Sequence, residues 1–174
     1  MSFEDQHCNH VDLINIERGR SEIVIRCTGE VENTDGSGVI GRHAGFAPLW
    51  YFKRATALTR PEAETGKLVA ALDQDYDGDI ARLHALSALV TDKVAYKTGE
   101  TDAETTAEQA LKVGGGVCQD HAHIFCTAAR SLGFPARYVS GYLMMSDRVD
   151  QDATHAWAEA YVEHIGWGGF DVSN

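Results

Sequence analysis

Three consecutive glycines, Gly114, Gly115 and Gly116, followed by Val117, Cys118, Gln119, Asp120, His121, Ala122 and His123, constrain this chain more than any other stretch. A helix does not run well through three glycines, so whatever precedes them ends there. Downstream, Ala122, Phe125, Cys126, Ala129 and Leu132 recur at helical spacing and give one apolar face. Cys118 is therefore expected in the first turn of a helix entered from a flexible glycine loop. The unpaired N–H groups and the positive dipole end found there favour a thiolate over a thiol. The glycines would also let a substrate backbone approach the sulfur closely.

A nucleophile needs a base, and the base needs a group that orients it. Ala153 to Val162 alternates like a strand and carries His155. Gly166 to Val172 offers a turn, a short strand and the carboxylate of Asp171. Cysteine, histidine and aspartate in this order can form a thiol triad. Trp157 lies two residues beyond His155, on the same face of the strand, where it would pack in the core and shield the His–Asp pair from water.

Several blocks in the same order resemble the transglutaminase-like superfamily, whose bacterial branch is often described as cysteine proteases. They are Gly114 to Leu143, Thr154 to Val162 and Gly166 to Asn174, with the upstream pieces Tyr96 to Asp102 and Thr106-Ala107-Glu108. The resemblance covers roughly residues 76–174. It implies an α+β, papain-like core, with N-terminal helices packed on an antiparallel sheet. It also implies Cys118 as nucleophile, His155 as general base and Asp171 as orienter. Where the family usually shows Asp-Pro-Thr, this chain has Asp171-Val172-Ser173, which keeps the carboxylate. Relatives continue with further strands beyond that aspartate, so the core is expected to be cut short at its C-terminus.

The N-terminal part reads differently. Residues 21–28 are rich in β-branched side chains and predict a strand; Asn33 to Gly38 predicts a turn. Residues 1–40 are thus expected to be a short β segment, the possible tail of a β domain, ahead of a catalytic core over 41–174. The apolar cluster Phe46, Leu49, Trp50, Tyr51 and Phe52 is expected to pack on the core, with an aromatic cleft wall as the alternative. Helices are expected from Pro61, with Glu62 and Glu64 in the first turn, and from Ile80 to Tyr96, with Asp79 as N-cap. A capping box, Thr105 to Glu108, would open a short helix through Lys112, and Gly133-Pro135 would stop the cysteine helix. Ala136 to Leu143 predicts a strand, and Met144 to Asp152 a polar hairpin loop that borders the cleft.

Charge narrows the partners. The net charge of −11 and pI near 5 argue against nucleic acid or an anionic membrane surface. No apolar run is long enough to span a bilayer, and Met1 to Asp5 does not open a signal peptide. The four cysteines, Cys8, Cys27, Cys118 and Cys126, do not make a secreted disulfide framework. A reducing, cytoplasmic setting is the expectation. Cys126 lies about 80° around the helix from Cys118 and reads as a small buried apolar residue.

Three groupings tempt a metal reading, and none is expected to hold one. His7, Cys8 and His10 have no second ligand pair at zinc spacing. Asp73 to Ile80 matches the first half of a calcium loop, but its last position is His84 rather than glutamate. His121 and His123, two apart on a helix, point nearly opposite ways and cannot share an ion with Cys118; Asp120 reads as a first-turn acid. No cofactor is expected.

The expected chemistry is thiol-dependent acyl transfer on a protein or peptide substrate, at a glutamine side chain or a peptide bond. The Cys118 N–H would stabilise the oxyanion, with Gly116, Val117 and Gln119 lining the cleft and Tyr96 or Trp50 as the second donor. Deacylation by water needs only an open site, so hydrolysis is expected rather than cross-linking. The alternative is a catalytically idle fold used as an interaction module.

Overall fold

The structure is a computed structural model that describes residues 1–26, 28–72, 75–145 and 153–174. At the N-terminus, β1 (Ser2–Glu4) and β2 (His10–Asp12) form an antiparallel hairpin of their own. The carboxylate of Asp5 closes its turn by accepting from the N–H groups of His7 and Asn9 at 2.8 and 2.9 Å. The strand predicted over residues 21–28 does not form in its described part. Ile23, Val24 and Ile25 are exposed, and a β-branched run gains from extension only where a neighbour packs against it. Cys27 lies outside the described residues. β3 (Val39–Gly41), which crosses the expected boundary at residue 40, is hydrogen-bonded to the last strand of the core sheet.

A 3-10 helix over Leu49–Lys53 follows. Phe52 is buried, with its ring edge-on to Trp167 at 5.1 Å, whereas Trp50 and Phe46 stay exposed. Next come α1 (Ala63–Ala70), α2 (Asp79–Lys93), β4 (Ala95–Tyr96), α3 (Ala107–Val113), β5 (Gly115–Gly116) and α4 (Cys118–Ser131). The chain ends with β6 (Ala136–Gly141), β7 (His155–Val162) and β8 (Gly166–Phe170). The N-cap of α2 is Gly78, at φ 91°, and Asp79 is the first helical residue rather than the cap. Asp73 and Gln74 of the acidic loop, and residues 146–152 of the polar loop after β6, lie outside the described residues. No helix is long and apolar enough to cross a membrane among the described residues.

The core sheet has the order β3-β8-β7-β6, antiparallel throughout. α4 lies across β6 and β7, with α1, α2 and α3 packed on its other side. Every residue from Asp120 to Ala129 is buried, which makes α4 the axis of the molecule. Small side chains allow this approach: Ala156, Ala158 and Ala160 of β7 share one core with Ala122, Ala128 and Ala129 of α4. Because side chains alternate along a strand, Trp157, Glu159 and Tyr161 fall on the opposite face. There Trp167 is buried with Phe52, and Tyr161 packs against them.

Helix ends are fixed by named groups. α4 stops at Leu132; Gly133 turns at φ 95°, its N–H donates to the Arg130 carbonyl, and the Phe134 N–H donates to that of Ala129. These two bonds satisfy carbonyls that the helix leaves unpaired. The capping box of α3 sits one residue later than expected, on Thr106 and Gln109. Glu108 is freed for a longer-range task. Its carboxylate accepts from the N–H groups of Glu62, Glu64 and Thr65, at 2.8, 2.9 and 2.9 Å, and from the Thr65 hydroxyl. It thus caps the N-terminus of a different helix, α1. Burial pushes its pKa up, but the bonds from Thr65 and these N–H groups outweigh that and hold it below the usual range. Glu108→Ala should cost about 2 kcal/mol in urea unfolding, the scale of hydrogen bonds to a charged group, and Glu108→Gln less, since it keeps an acceptor.

Candidate functional site

The glycine stretch is a pinned strand, not a flexible loop. Gly114 ends α3 in the left-handed region, at φ 71°, and its N–H donates to the Ala110 carbonyl. Gly115 and Gly116 pair in parallel with Ala95 and Tyr96, and both are buried. A Cβ on Gly116 would fall 2.7 Å from the Asp120 carboxylate. The close approach that requires glycine here therefore comes from the protein's own side chain rather than from a substrate backbone.

Asp120 explains how Cys118 is presented. It is 1% exposed. Its Oδ2 accepts from the Val117 N–H and from the Thr101 hydroxyl, both at 2.7 Å. Val117 is the N-cap of α4, and its apolar side chain cannot cap, so the carboxylate one turn ahead does so. Cys118 follows as the first helical residue, half-buried. At that position its N–H has no intrahelical acceptor. The Val117 N–H, in contrast, is taken by Asp120, and the Gln119 side-chain amide donates to the Asp102 carbonyl at 3.2 Å.

His155 opens β7, and its Nε2 lies 2.7 Å from Asp171 Oδ2, just after β8. The side chains are 13% and 31% exposed. Asp171 is held on its other sides as well. The Asn174 amide donates to Oδ2 at 2.9 Å and the Ser173 N–H to Oδ1 at 3.3 Å. The Trp157 ring lies nearly parallel to the His155 imidazole, 27° between planes and 6.2 Å between centroids. Trp157 also covers Gly141, where a Cβ would meet its ring at 2.6 Å.

The segment after Asp171 ties this pair to the cysteine helix. Val172 is buried and its carbonyl accepts from the Thr91 hydroxyl of α2 at 2.9 Å. The Ser173 hydroxyl is 2.9 Å from His121 Nδ1, and His121 Nε2 is 2.9 Å from the Val94 carbonyl. With a carbonyl on Nε2, that nitrogen donates and Nδ1 accepts from Ser173. His121 is one turn beyond Cys118, on the same side of α4. Burial lowers its pKa, although the Val94 carbonyl and the charges of Asp120 and Asp171 work against it. It is a neutral bridge between helix and terminal segment. The residues after Asp171 are thereby fastened to α2 and α4. Among the described residues no hydrogen bond joins Cys118 to His155.

Other residues fall into place around these. Tyr96, paired with Gly116, is exposed, with its ring 6.1 Å from that of His121. Trp50 belongs to the opposite face of the sheet, with the aromatic cluster around Trp167. His123 is buried away from His121, its ring 4.9 Å from that of Tyr138. Cys126 is fully buried, and burial pushes its thiol up to about 12, which leaves it inert. Among the described residues no group of three or more His, Cys, Asp or Glu could hold a metal ion. Sequence reasoning missed Ser173, Asn174 and Thr101, short polar residues whose only signal is their position beside Asp171 and upstream of the glycines. It also missed Tyr138. Burial, together with the nearby charge of Asp120, holds its phenol above the usual range.

A model of the transglutaminase-like superfamily matches residues 66–172. An uncharacterised protein of Mycobacterium leprae is 37% identical over 87 residues, covering 47% of this chain and 30% of that protein. One of Mycobacterium tuberculosis is 34% identical over 102 residues, covering 53% and 32%. The chain spans about a third of the length of these curated relatives. Among solved structures, a candidate cysteine protease from Cytophaga hutchinsonii is similar with a TM-score of 0.61 and 26% identity, over 72% of this chain and 42% of that one. The periplasmic domain of TgpA from Pseudomonas aeruginosa shares the fold, with a TM-score of 0.54 and 24% identity, over 71% and 48%.

Proposed function

Because this chain belongs to the transglutaminase-like superfamily, we propose that it is a thiol-dependent acyl-transfer enzyme that acts on amide or peptide bonds through Cys118, His155 and Asp171. The observation that carries the reading is the 2.7 Å contact of His155 Nε2 with Asp171 Oδ2. It commits one ring nitrogen to the carboxylate and leaves Nδ1 to exchange a proton with the thiol. A second support is the bridge from Ser173 through His121, which keeps the Asp171 segment beside the first turn of α4.

In the proposed reaction His155 Nδ1 takes the Cys118 proton, while Asp171 holds the Nε2–H tautomer and stabilises the imidazolium. The thiolate attacks the amide carbonyl carbon, and the carbonyl oxygen becomes an oxyanion facing the Cys118 N–H. As the carbon–nitrogen bond breaks, His155 returns the proton to the leaving amine. A thioester remains on Cys118. Water, activated by His155, then releases a carboxylate and regenerates the thiol. An amine in place of water would give cross-linking. Hydrolysis is the reading we favour, since it requires no second substrate site.

The test is iodoacetamide labelling from about pH 4 to about pH 9, mapped by mass spectrometry. Below neutral pH, Cys118 should react roughly ten- to hundredfold faster than exposed Cys8, the advantage a thiolate–imidazolium pair gives over an ordinary thiol. That excess should vanish in His155→Ala. If Cys118 and Cys8 follow the same pH dependence in the wild type, the enzyme reading falls and the idle module takes its place.

A further inference from the structure

A cavity of about 770 Å³ opens beside the proposed thiol site without including Cys118, His155 or Asp171. Its size is that of a ligand pocket. One wall is β6, from Arg137 to Ser140, and the facing wall is the chain from Tyr51 to Thr56. β6 is the end strand of the core sheet. Side chains of successive strand residues point to opposite faces, so a cavity that touches four residues in a row reaches round the strand's edge; through Glu159 of β7, which pairs with Arg137, it also takes in part of the face that carries that pair. Among the described residues that edge carries backbone groups with no strand beyond them, which suits the addition of an extended chain. The strand leads to the site, because the next residue, Gly141, pairs with His155. From Arg137 to Gly141 an extended chain advances about 13 Å.

The charge in the groove is opposite to that of the molecule. The chain as a whole carries −11, yet Arg54, Arg130 and Arg137 line this cavity against one carboxylate, Glu159. Glu159 is committed to Arg137, at 2.6 Å, and the Arg137 guanidinium also lies 4.3 Å over the Trp167 ring. Arg130 donates only to neutral acceptors: the carbonyls of Phe52 and Ala136, and the Thr59 hydroxyl. Arg54 rests over the Tyr51 ring at 5.9 Å. Among the described residues neither Arg54 nor Arg130 has a carboxylate partner. Two guanidinium charges thus stand uncompensated in the groove, and Arg130, bonded to the Ala136 carbonyl, marks its end away from His155.

We infer that this groove is the substrate subsite of the thiol enzyme: an extended peptide adds along the open edge of β6 and places a carboxylate against Arg54 and Arg130. The inference rests on the thiol-site reading for its role and on charge complementarity for its occupant. The carboxylate comes either from an acidic side chain or from a free C-terminus about four residues from the bond attacked.

The test uses full-length protein with Cys118→Ala, so that binding is read without turnover. The probes are acetylated, amidated alanine-based heptapeptides with one Glu at successive positions, their Gln twins, and a Gln twin with a free C-terminal carboxylate. Calorimetric titration should show one Glu position, or the free carboxylate, binding at least about tenfold tighter than the neutral twin, the scale of one charge-assisted hydrogen bond. Which probe wins identifies the source of the carboxylate. Arg54→Gln, at an exposed position, should erase that preference, as should a rise in salt from about 50 to 500 mM. Methylating backbone nitrogens of the tight binder one at a time should weaken it at alternate positions only. Equal affinity for Glu and Gln peptides, or indifference to Arg54→Gln, overturns the inference. The iodoacetamide test does not involve Arg54. A reactive Cys118 without a carboxylate preference removes the groove alone; an inert Cys118 removes the thiol reading and, with it, the groove's role as a substrate subsite, even where a carboxylate preference remains.

Discussion

Asp171→Ala should lower hydrolysis of a pooled peptide mixture, followed by mass spectrometry, by roughly 10³-fold, the scale on which a member of such a triad acts. The variant removes the acceptor 2.7 Å from His155 Nε2 and frees the Asn174 amide and the Ser173 N–H at once. The imidazole then loses both its tautomer preference and the negative charge that stabilises its protonated form. Asp171→Asn separates the two contributions. It keeps an oxygen that can accept from Nε2–H but removes the charge. If orientation dominates, the asparagine variant recovers most of the loss; if charge dominates, it stays close to alanine. Wild-type rates in Asp171→Ala would show that the His155–Asp171 contact is structural, and the proposed mechanism would fail with it.

Asp120→Ala should be the most destabilising single change near the site, by about 3–5 kcal/mol in urea unfolding, since two hydrogen bonds to a buried carboxylate are lost together. The Val117 N–H and the Thr101 hydroxyl both end on Oδ2, and the side chain fills the space that Gly116 leaves open. Without it, the Val117 N–H has no acceptor, and the Cys118 N–H loses its fixed direction. Asp120→Asn keeps an acceptor for the Val117 N–H and should lose about half as much. A loss below about 1 kcal/mol for the alanine variant would show that the turn is held by packing alone.

The sequence made the order and type of the core elements legible because their patterns are strong. Alternation over Ala153 to Val162 and the helical face of Ala122, Phe125 and Ala129 each have one physical reading, and β7 and α4 follow it. The relative positions of His155 and Asp171 were legible only through the resemblance, since strand pairing between distant residues leaves no local mark. What was misread came from local signals that long-range contacts override. The β-branched run within residues 21–28 has the right residues and no partner strand among the described residues. Local sequence puts the capping box on Thr105 and Glu108, whereas Gln109 takes that task and Glu108 reaches across to α1. The glycines suggest freedom for a substrate, while their space is occupied by Asp120 and a neighbouring strand.

The fastening of the terminal segment sets an order of events during synthesis. Thr91 bonds to Val172 across 81 residues of chain, and His121 to Ser173 across 52. α2 and α4 are complete long before either partner has left the ribosome, and such distant pairings form late in folding. Under the proposed mechanism the thiol is therefore made early and armed last. Until β8 docks, His155 has no carboxylate beside it, so by that mechanism a half-made chain has no activated sulfur to turn on itself or its neighbours.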